Sequence, residues 1–367
     1  RDLWRARAAV MNLGGAGTVG GGQPTTVMLT GGTGFIGSHQ AVALLTAGHD
    51  VVLVDDLSNS HAAVIDRIGA IAGRRPHLVV LDVRDWASVA STLVETGCTA
   101  VVHFAGRKHV AESMARPAEY FDVNLAALTG VVRGAHESGV RRLVFSSSGS
   151  VYGPAATFPI PESAPKRPTN PYSLTKLLCE QMLTMLCRTD PSWSVVALRY
   201  FNPAGAHPSG LLGESSTVVS NLLPVVMEVA GGRRTSIPIY GSELPTTDGT
   251  AVRDYVHVMD VVQLHQRALA LLARRRGFLA LNIGRGVGVS VRQIVAAAER
   301  VVGHPLPTEV LASRPGDVAT LYGDNRAAAS ALGPHRYRDL DEIVADAWRF
   351  EQAQARTPQP ATLGRSA

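Results

Sequence analysis

Short, unbroken apolar runs recur through the first half of the chain, and each ends in glycine, serine or aspartate. Thr26-Val27-Met28-Leu29-Thr30 leads into Gly31-Gly32-Thr33-Gly34-Phe35-Ile36-Gly37, and Val51-Val52-Leu53-Val54 ends in Asp55-Asp56. Leu78-Val79-Val80-Leu81 leads to Asp82-Val83, Ala100-Val101-Val102-His103-Phe104 to Ala105-Gly106, and Leu143-Val144-Phe145 to Ser146-Ser147-Ser148. Runs that are apolar throughout, without alternation, predict strands covered on both faces and hence a parallel sheet. Helical stretches lie between them: one through Ala41–Leu45 to Gly48, one over Trp86–Thr96, one from about Pro117 to Ser138. A further helix is expected to open at Pro171 with Asn170 as its N-cap, before the strand Val195–Leu198. About six βα units of this kind predict an α/β fold, a doubly wound parallel sheet of the Rossmann type. Ligands of such sheets bind beyond the carboxyl ends of the strands.

The pattern changes after Tyr200 to Pro/Gly-rich loops around Asn202–Gly210 and Pro245–Gly249, with shorter elements between them. The expected division is a flexible extension over 1–26, a cofactor domain over 27–201, and a smaller substrate-binding region over 202–252 and 286–350. A strand near Ala280–Ile283 is expected to return to the main sheet, within a stretch of about 253–285, and 351–367 reads as a disordered tail.

Composition narrows the classes. With 46% hydrophobic and 18% charged residues the chain reads as an ordinary globular protein. The net charge of +5 carries no dense Lys/Arg block with interleaved aromatics, so no nucleic-acid partner is expected. No apolar run has transmembrane length and no signal-peptide pattern opens the chain, so no membrane partner is expected. Cys98, Cys179 and Cys187 lack metal-ligand spacing, which predicts no metal and suits a reduced, cytoplasmic setting.

The chemistry gathers at the strand ends. Gly31, Gly34 and Gly37 follow a strand and open a helix, as a dinucleotide fingerprint does: a tight turn, backbone N–H groups near a pyrophosphate, and close helix packing. Asp55, ending the next strand, suits the hydroxyls of an adenosine ribose and opposes a 2′-phosphate, favouring NAD over NADP. Asp82 suits adenine or a turn cap equally. Tyr172 and Lys176 lie at i and i+4 on the helix after the serine-ended strand. A phenol, with a pKa of about 10, is a base at neutral pH only if a neighbouring cation favours the phenolate.

Glycine fingerprint, acid, strand-end Ser148 and Tyr-x-x-x-Lys together resemble the short-chain dehydrogenase/reductase superfamily, in its extended branch. Leu198–Gly210, Asp248–Val258, Gly37-Ser38-His39, Asp56–Ser60 and Lys108–Ser113 are very similar to the UDP-glucose 4-epimerase family, from about Val27 to about Phe350. The resemblance implies tightly held NAD, lined by Gly31, Gly34, Phe35, Ile36, Gly37, Asp55, Asn59, Ser60, Asp82, Val83, Phe104, Ala105, Gly106, Lys108, Asn124, Tyr172, Lys176 and Phe201. It implies Ser148, Tyr172 and Lys176 as the catalytic set. For the UDP-sugar it implies Ser148, Tyr172, Phe201, Asn202, Asn221, Leu222, Tyr240, Arg253, Arg314 and Asp317. Substrates implied are UDP-glucose and UDP-galactose, exchanged through a 4-keto intermediate, by a homodimer. Two departures stand out. Leu125-Ala126-Ala127-Leu128 follows Asn124 where the family often has Val-Asn-Gly-Thr, and Leu321 stands where side-chain bulk governs entry of an N-acetylated sugar.

Overall fold

The structure, a computed structural model, describes residues 25–215, 219, 221–314 and 318–356. In chain order the elements are β1 (Thr26–Thr30), α1 (Phe35–Thr46), β2 (Asp50–Asp55), α2 (Val64–Ala72), β3 (His77–Val80), α3 (Trp86–Glu95), β4 (Cys98–His103) and α4 (Val110–Ala115). Then follow α5 (Pro117–Glu137), β5 (Arg142–Ser148), a 3-10 turn (Gly149–Tyr152), α6 (Pro171–Thr189), β6 (Ser194–Tyr200), β7 (Asn202–Ala204), α7 (Leu222–Ala230) and β8 (Ile237–Tyr240). The remainder comprises β9 (Val252–Arg253), β10 (Tyr255–His257), α8 (Val258–Leu272), β11 (Gly277–Ile283), β12 (Val289–Ser290), α9 (Val291–Val302), β13 (Thr308–Leu311), β14 (Thr320–Leu321), α10 (Arg326–Leu332) and α11 (Leu340–Arg356).

Seven strands form the central sheet in the order β11-β6-β5-β4-β1-β2-β3, every pair parallel. This is the doubly wound sheet expected, with the Ala280–Ile283 strand lengthened to β11 and paired along β6. The unbroken apolar runs follow from cover on both faces. Val27, Leu29, Val51 and Leu53 enter one core with α1 and α8, while Met28, Val52 and Val54 enter the other with α3, α5 and α6. Each such fully buried side chain contributes roughly 1.5–3 kcal/mol relative to exposure, so breaking either stripe would unseat a helix layer. The order reverses between β1 and β4, which opens a crevice at their carboxyl ends.

A third core joins α7, α9 and α11 around Leu223, Val226, Ile294, Ala298, Ile343 and Val344. Small sheets β12-β9-β14, β10-β7 and β13-β8 tie this region to the end of β6. The expected boundaries shift at both ends. Thr26 already belongs to β1, and residues 351–356, read as tail, continue α11, with Phe350 and Glu351 buried. Residues 1–24 and 357–367 lie outside the described residues. Among the described residues no helix is long and apolar enough to cross a membrane.

Candidate active site

Close approach builds the β1–α1 turn. Gly31 has a φ of 65° and donates its N–H to the Val54 carbonyl at 2.8 Å. A Cβ there would lie 2.7 Å from the Ala105 nitrogen, so only glycine lets the turns after β1 and β4 touch. A Cβ on Gly37 would lie 2.4 Å from the Gly31 carbonyl oxygen, which explains the tight seat of α1 on the turn. Gly34, the N-cap of α1, offers no side-chain cap, and a Cβ there would meet only the Gly31 oxygen, at 3.2 Å. The first-turn N–H groups of α1 therefore open on the crevice as an anion seat. Phe35 and Ile36 are half-buried at this opening.

Asp55 ends β2 and ties the next loop to the glycine turn. Its carboxylate accepts from Thr33 N at 3.1 Å, Leu57 N at 3.0 Å and Ser60 Oγ at 3.0 Å. Asn59 lies on the same loop. Asp82 is engaged differently: Arg84 donates to both its oxygens and holds its carboxyl below the usual carboxylate range. Arg84 also donates its N–H to Asp82 Oδ1 at 2.9 Å, which closes the turn over 82–84. Val83 is buried in the core, so its main chain is what it offers a ligand.

The β4 end forms the facing wall. Phe104 donates its N–H to Thr30 O at 2.9 Å, and Gly106 takes a φ of 144°. Asn124, on α5, accepts from Arg107 N at 2.8 Å and donates to Arg107 O at 3.1 Å and Thr175 Oγ1 at 3.0 Å. Its amide thus clips the β4 turn to α6 and shapes this wall. Lys108 Nζ donates to Glu214 Oε1 at 2.8 Å, and the same oxygen accepts from Asn221 Nδ2 at 2.7 Å. A lysine expected on the cofactor and an asparagine expected on the substrate are joined by a carboxylate that sequence reasoning did not single out.

Asn170 caps α6, accepting from Ser173 N and Ser173 Oγ, both at 2.9 Å. The cap sets Tyr172 beside the end of β5, where its phenol neighbours Ser148. Ser148 Oγ also lies 2.8 Å from Ser150 Oγ. Lys176 is buried with its Nζ 6.0 Å from the Tyr172 ring centroid, and it donates to Ser146 O at 2.9 Å. Burial raises the Tyr172 phenol, against the Ser148 hydrogen bond, and pushes the Lys176 ammonium down. Both shifts disfavour charge in a dry site.

Phe201 stands on the border of the cofactor and substrate sides. A Cβ on Gly149 would lie 2.7 Å from its ring, and one on Gly323 would lie 2.3 Å from it. The ring therefore spans from the turn after Ser148 to the segment carrying Leu321, which packs with Val151, Tyr152 and Ile160. Asn202 donates its N–H to Asp254 O at 3.0 Å, joining β7 to β10. Arg253, opposite Leu321 in the β9–β14 register, donates from Nη1 to Val252 O at 2.9 Å and Ala319 O at 3.3 Å. The Arg314 guanidinium lies 3.5 Å over the Tyr240 ring centroid. Leu222 opens α7 against the core of α7, α9 and α11, and Asp317 lies outside the described residues.

Residues 27–284 match the model of the NAD dependent epimerase/dehydratase family. The chain belongs to this family. A UDP-glucose 4-epimerase of Bacillus subtilis is 43% identical over 328 residues, which is 89% of this chain and 97% of the relative. A solved UDP-glucose-4-epimerase of Stenotrophomonas maltophila, with bound NAD and formylated UDP-arabinopyranose, is 41% identical. It aligns with a TM-score of 0.88 over 90% of this chain and 99% of its own. The enzyme from Bifidobacterium longum, in complex with NAD+ and UDP, is 39% identical with a TM-score of 0.88, covering 90% of this chain and 99% of that one.

The residues present fit NAD. The turn after β1 is a cradle that a Cβ at Gly31 or Gly37 would fill, the N-terminus of α1 is uncapped, and Asp55 keeps acceptor capacity beyond its three donors.

Proposed function

We propose that this family member interconverts UDP-glucose and UDP-galactose by epimerisation at C4′ with tightly held NAD. The observation that carries this reading is the Tyr172 phenol beside Ser148 at the carboxyl end of β5, with Lys176 buried on the same helix face. Bound NAD supplies a reversible hydride acceptor for C4′. Tyr172 takes the proton of the 4′-hydroxyl and later returns it, Ser148 orients that proton, and Lys176 supplies positive charge below the phenol. Gly31, Gly34, Gly37 and Asp55 hold the dinucleotide; Asn202, Asn221, Arg253, Arg314 and Tyr240 belong to the UDP side, where a guanidinium fork suits a pyrophosphate. Anchoring through UDP would leave the hexose free to turn over beside Phe201 and Leu321 and present either face of C4′. A 4,6-dehydratase would need an acid beside Ser148. Ser150 stands there instead.

We also infer a homodimer formed through α5 and α6, where Leu174 and Met185 are exposed on α6. The three unpaired, buried cysteines support a cytoplasmic setting. The deciding experiment incubates purified protein with UDP-galactose, without added NAD, and separates the products by chromatography. UDP-glucose is expected. Its absence, with NAD shown to be bound, overturns the reading, and a monomer by light scattering overturns the dimer.

A further inference from the structure

The face of α6 that carries Tyr172 and Lys176 continues to a third polar residue at the same spacing, Glu180, and this residue is as buried as a core leucine. Three consecutive residues of β5 meet the three helix positions. Ser148 neighbours the Tyr172 phenol, Ser146 O accepts from Lys176 Nζ at 2.9 Å, and Ser147 Oγ donates to Glu180 Oε1 at 2.5 Å. Glu180 is in turn gripped by Arg199 of β6, which donates Nε to Oε1 at 2.9 Å and Nη2 to Oε2 at 2.6 Å. The two side chains are 5% and 4% exposed.

The grip extends toward the sugar side. Arg199 Nη1 donates to the Tyr152 hydroxyl at 2.7 Å, which donates to Asn282 Oδ1 at 2.7 Å. Asn282 Nδ2 donates to Ile160 O at 2.8 Å, and Ile160 packs against Leu321. One connected network therefore joins the catalytic helix to the segment bearing Leu321. Stability alone does not call for such a pair, since a buried ion pair replaced by apolar residues of like volume is often neutral or stabilising. A two-pronged pair of fixed geometry does supply register.

We propose that Glu180, clamped by Arg199, is a positioning residue of the epimerisation, setting the rotation and depth of α6 and thereby the places of Tyr172 and Lys176. The proposal rests on the epimerase reading. Electrostatics supports it as well: Glu180 opposes the depression that burial imposes on Lys176. The groups facing Lys176 are Tyr172 and Cys179 on α6, His103 on β4 and the Ser146 carbonyl on β5, with Arg199 behind Glu180.

The test compares NAD-loaded Arg199→Lys, Glu180→Gln and the apolar pair Glu180→Leu with Arg199→Met. Arg199→Lys keeps both charges and loses the fork: kcat should fall about tenfold or more, with KM for UDP-galactose within about twofold and the pH profile in place. Glu180→Gln leaves Arg199 uncompensated, and the added positive field should lower the pKa of both Tyr172 and Lys176, moving the kcat profile toward lower pH. Where either single variant fails to fold, the apolar pair keeps the core filled and should bind NAD yet lose kcat about tenfold or more. Wild-type kcat in a folded, NAD-bound Arg199→Lys or apolar-pair variant overturns the proposal, as does an unmoved profile in Glu180→Gln. An inactive wild-type protein would instead overturn the epimerase reading, so the two failures are distinct.

Discussion

Lowering the pH from 7 to 5 should destabilise this protein through three buried histidines, His39, His103 and His265. Burial pushes their pKa values down to about 3, about 3 and about 4. His265 shows why a second proton finds no place. Its Nδ1 donates to Val261 O at 2.9 Å, so Nε2, 2.5 Å from the Tyr200 hydroxyl, accepts. The unfolded chain binds these protons from pH ~6.5 downward, the folded chain only near the depressed values. Between the two the unfolded state holds more protons, so the stabilisation is complete above the unfolded value and drains away as pH falls. By pH 5 each histidine costs nearly 2 kcal/mol, between about 5 and 6 kcal/mol for the three. Asp254 works in the opposite sense. Burial raises it to about 6, so the folded chain takes up that proton first and regains about 1 kcal/mol by pH 5. The net loss of about 4 kcal/mol is a large part of a usual folding free energy of about 5–15 kcal/mol. All three rings lie near the cofactor wall. His103 is 2.7 Å from Thr30 at the end of β1, His265 packs 5.1 Å from Phe104, and His39 donates to Phe35 O at 2.6 Å. Acid should therefore release NAD as stability falls. Urea unfolding at pH 7, 6 and 5, with free NAD measured in parallel, checks this; a stability flat across that range would refute it.

Two further substitutions probe how the site is seated. Asn170→Ala removes an acceptor for both Ser173 N and Ser173 Oγ and should cost about 1 kcal/mol, read as a lower urea midpoint, with kcat reduced because the cap sets Tyr172. An unchanged midpoint and kcat would show that packing alone seats α6. Gly37→Ala places a methyl 2.4 Å from a backbone oxygen that cannot swing away, so the turn must open. NAD should then be lost on gel filtration, and a variant that keeps it at full stoichiometry would remove the cradle from the binding site.

Much of this was legible locally. The two-faced burial of β1 and β2 forces unbroken apolar runs, the contact between turns forces Gly31, and the change of direction before α6 is written in Asn170-Pro171. What escaped depends on partners far apart in the chain. Lys108 and Glu214 are 106 residues apart, and Tyr152 and Asn282 are 130 apart. No periodicity announces such pairs. Glu180 is intermediate: its spacing from Lys176 was visible, but a glutamate four residues after a lysine is usually a solvated pair, and only burial against Arg199 shows otherwise. Residues 351–356 lie in α11 rather than in a tail for a similar reason, since Glu351 is held in place by Arg233, which is remote in sequence.

The least legible feature was the sense of the Tyr172 shift, and it bears directly on mechanism. Tyr-x-x-x-Lys suggests a phenol ionised by its lysine, yet in the folded chain the ammonium bonds Ser146 O and burial raises the phenol while lowering the ammonium. Removal of water is the common cause, and it also magnifies the effect of any further charge brought close. An oxidised nicotinamide is cationic and a reduced one is neutral. The proton acceptor is thus expected to be conditional on what fills the crevice. Phenolate difference absorbance should show Tyr172 titrating at lower pH in protein loaded with oxidised cofactor than with reduced. Tyr172→Phe should abolish that signal and lower kcat about a hundredfold or more while NAD stays bound. Equal midpoints in the two redox forms would mean that Lys176 and Ser148 set the phenol by themselves, and the conditional base would have to be abandoned.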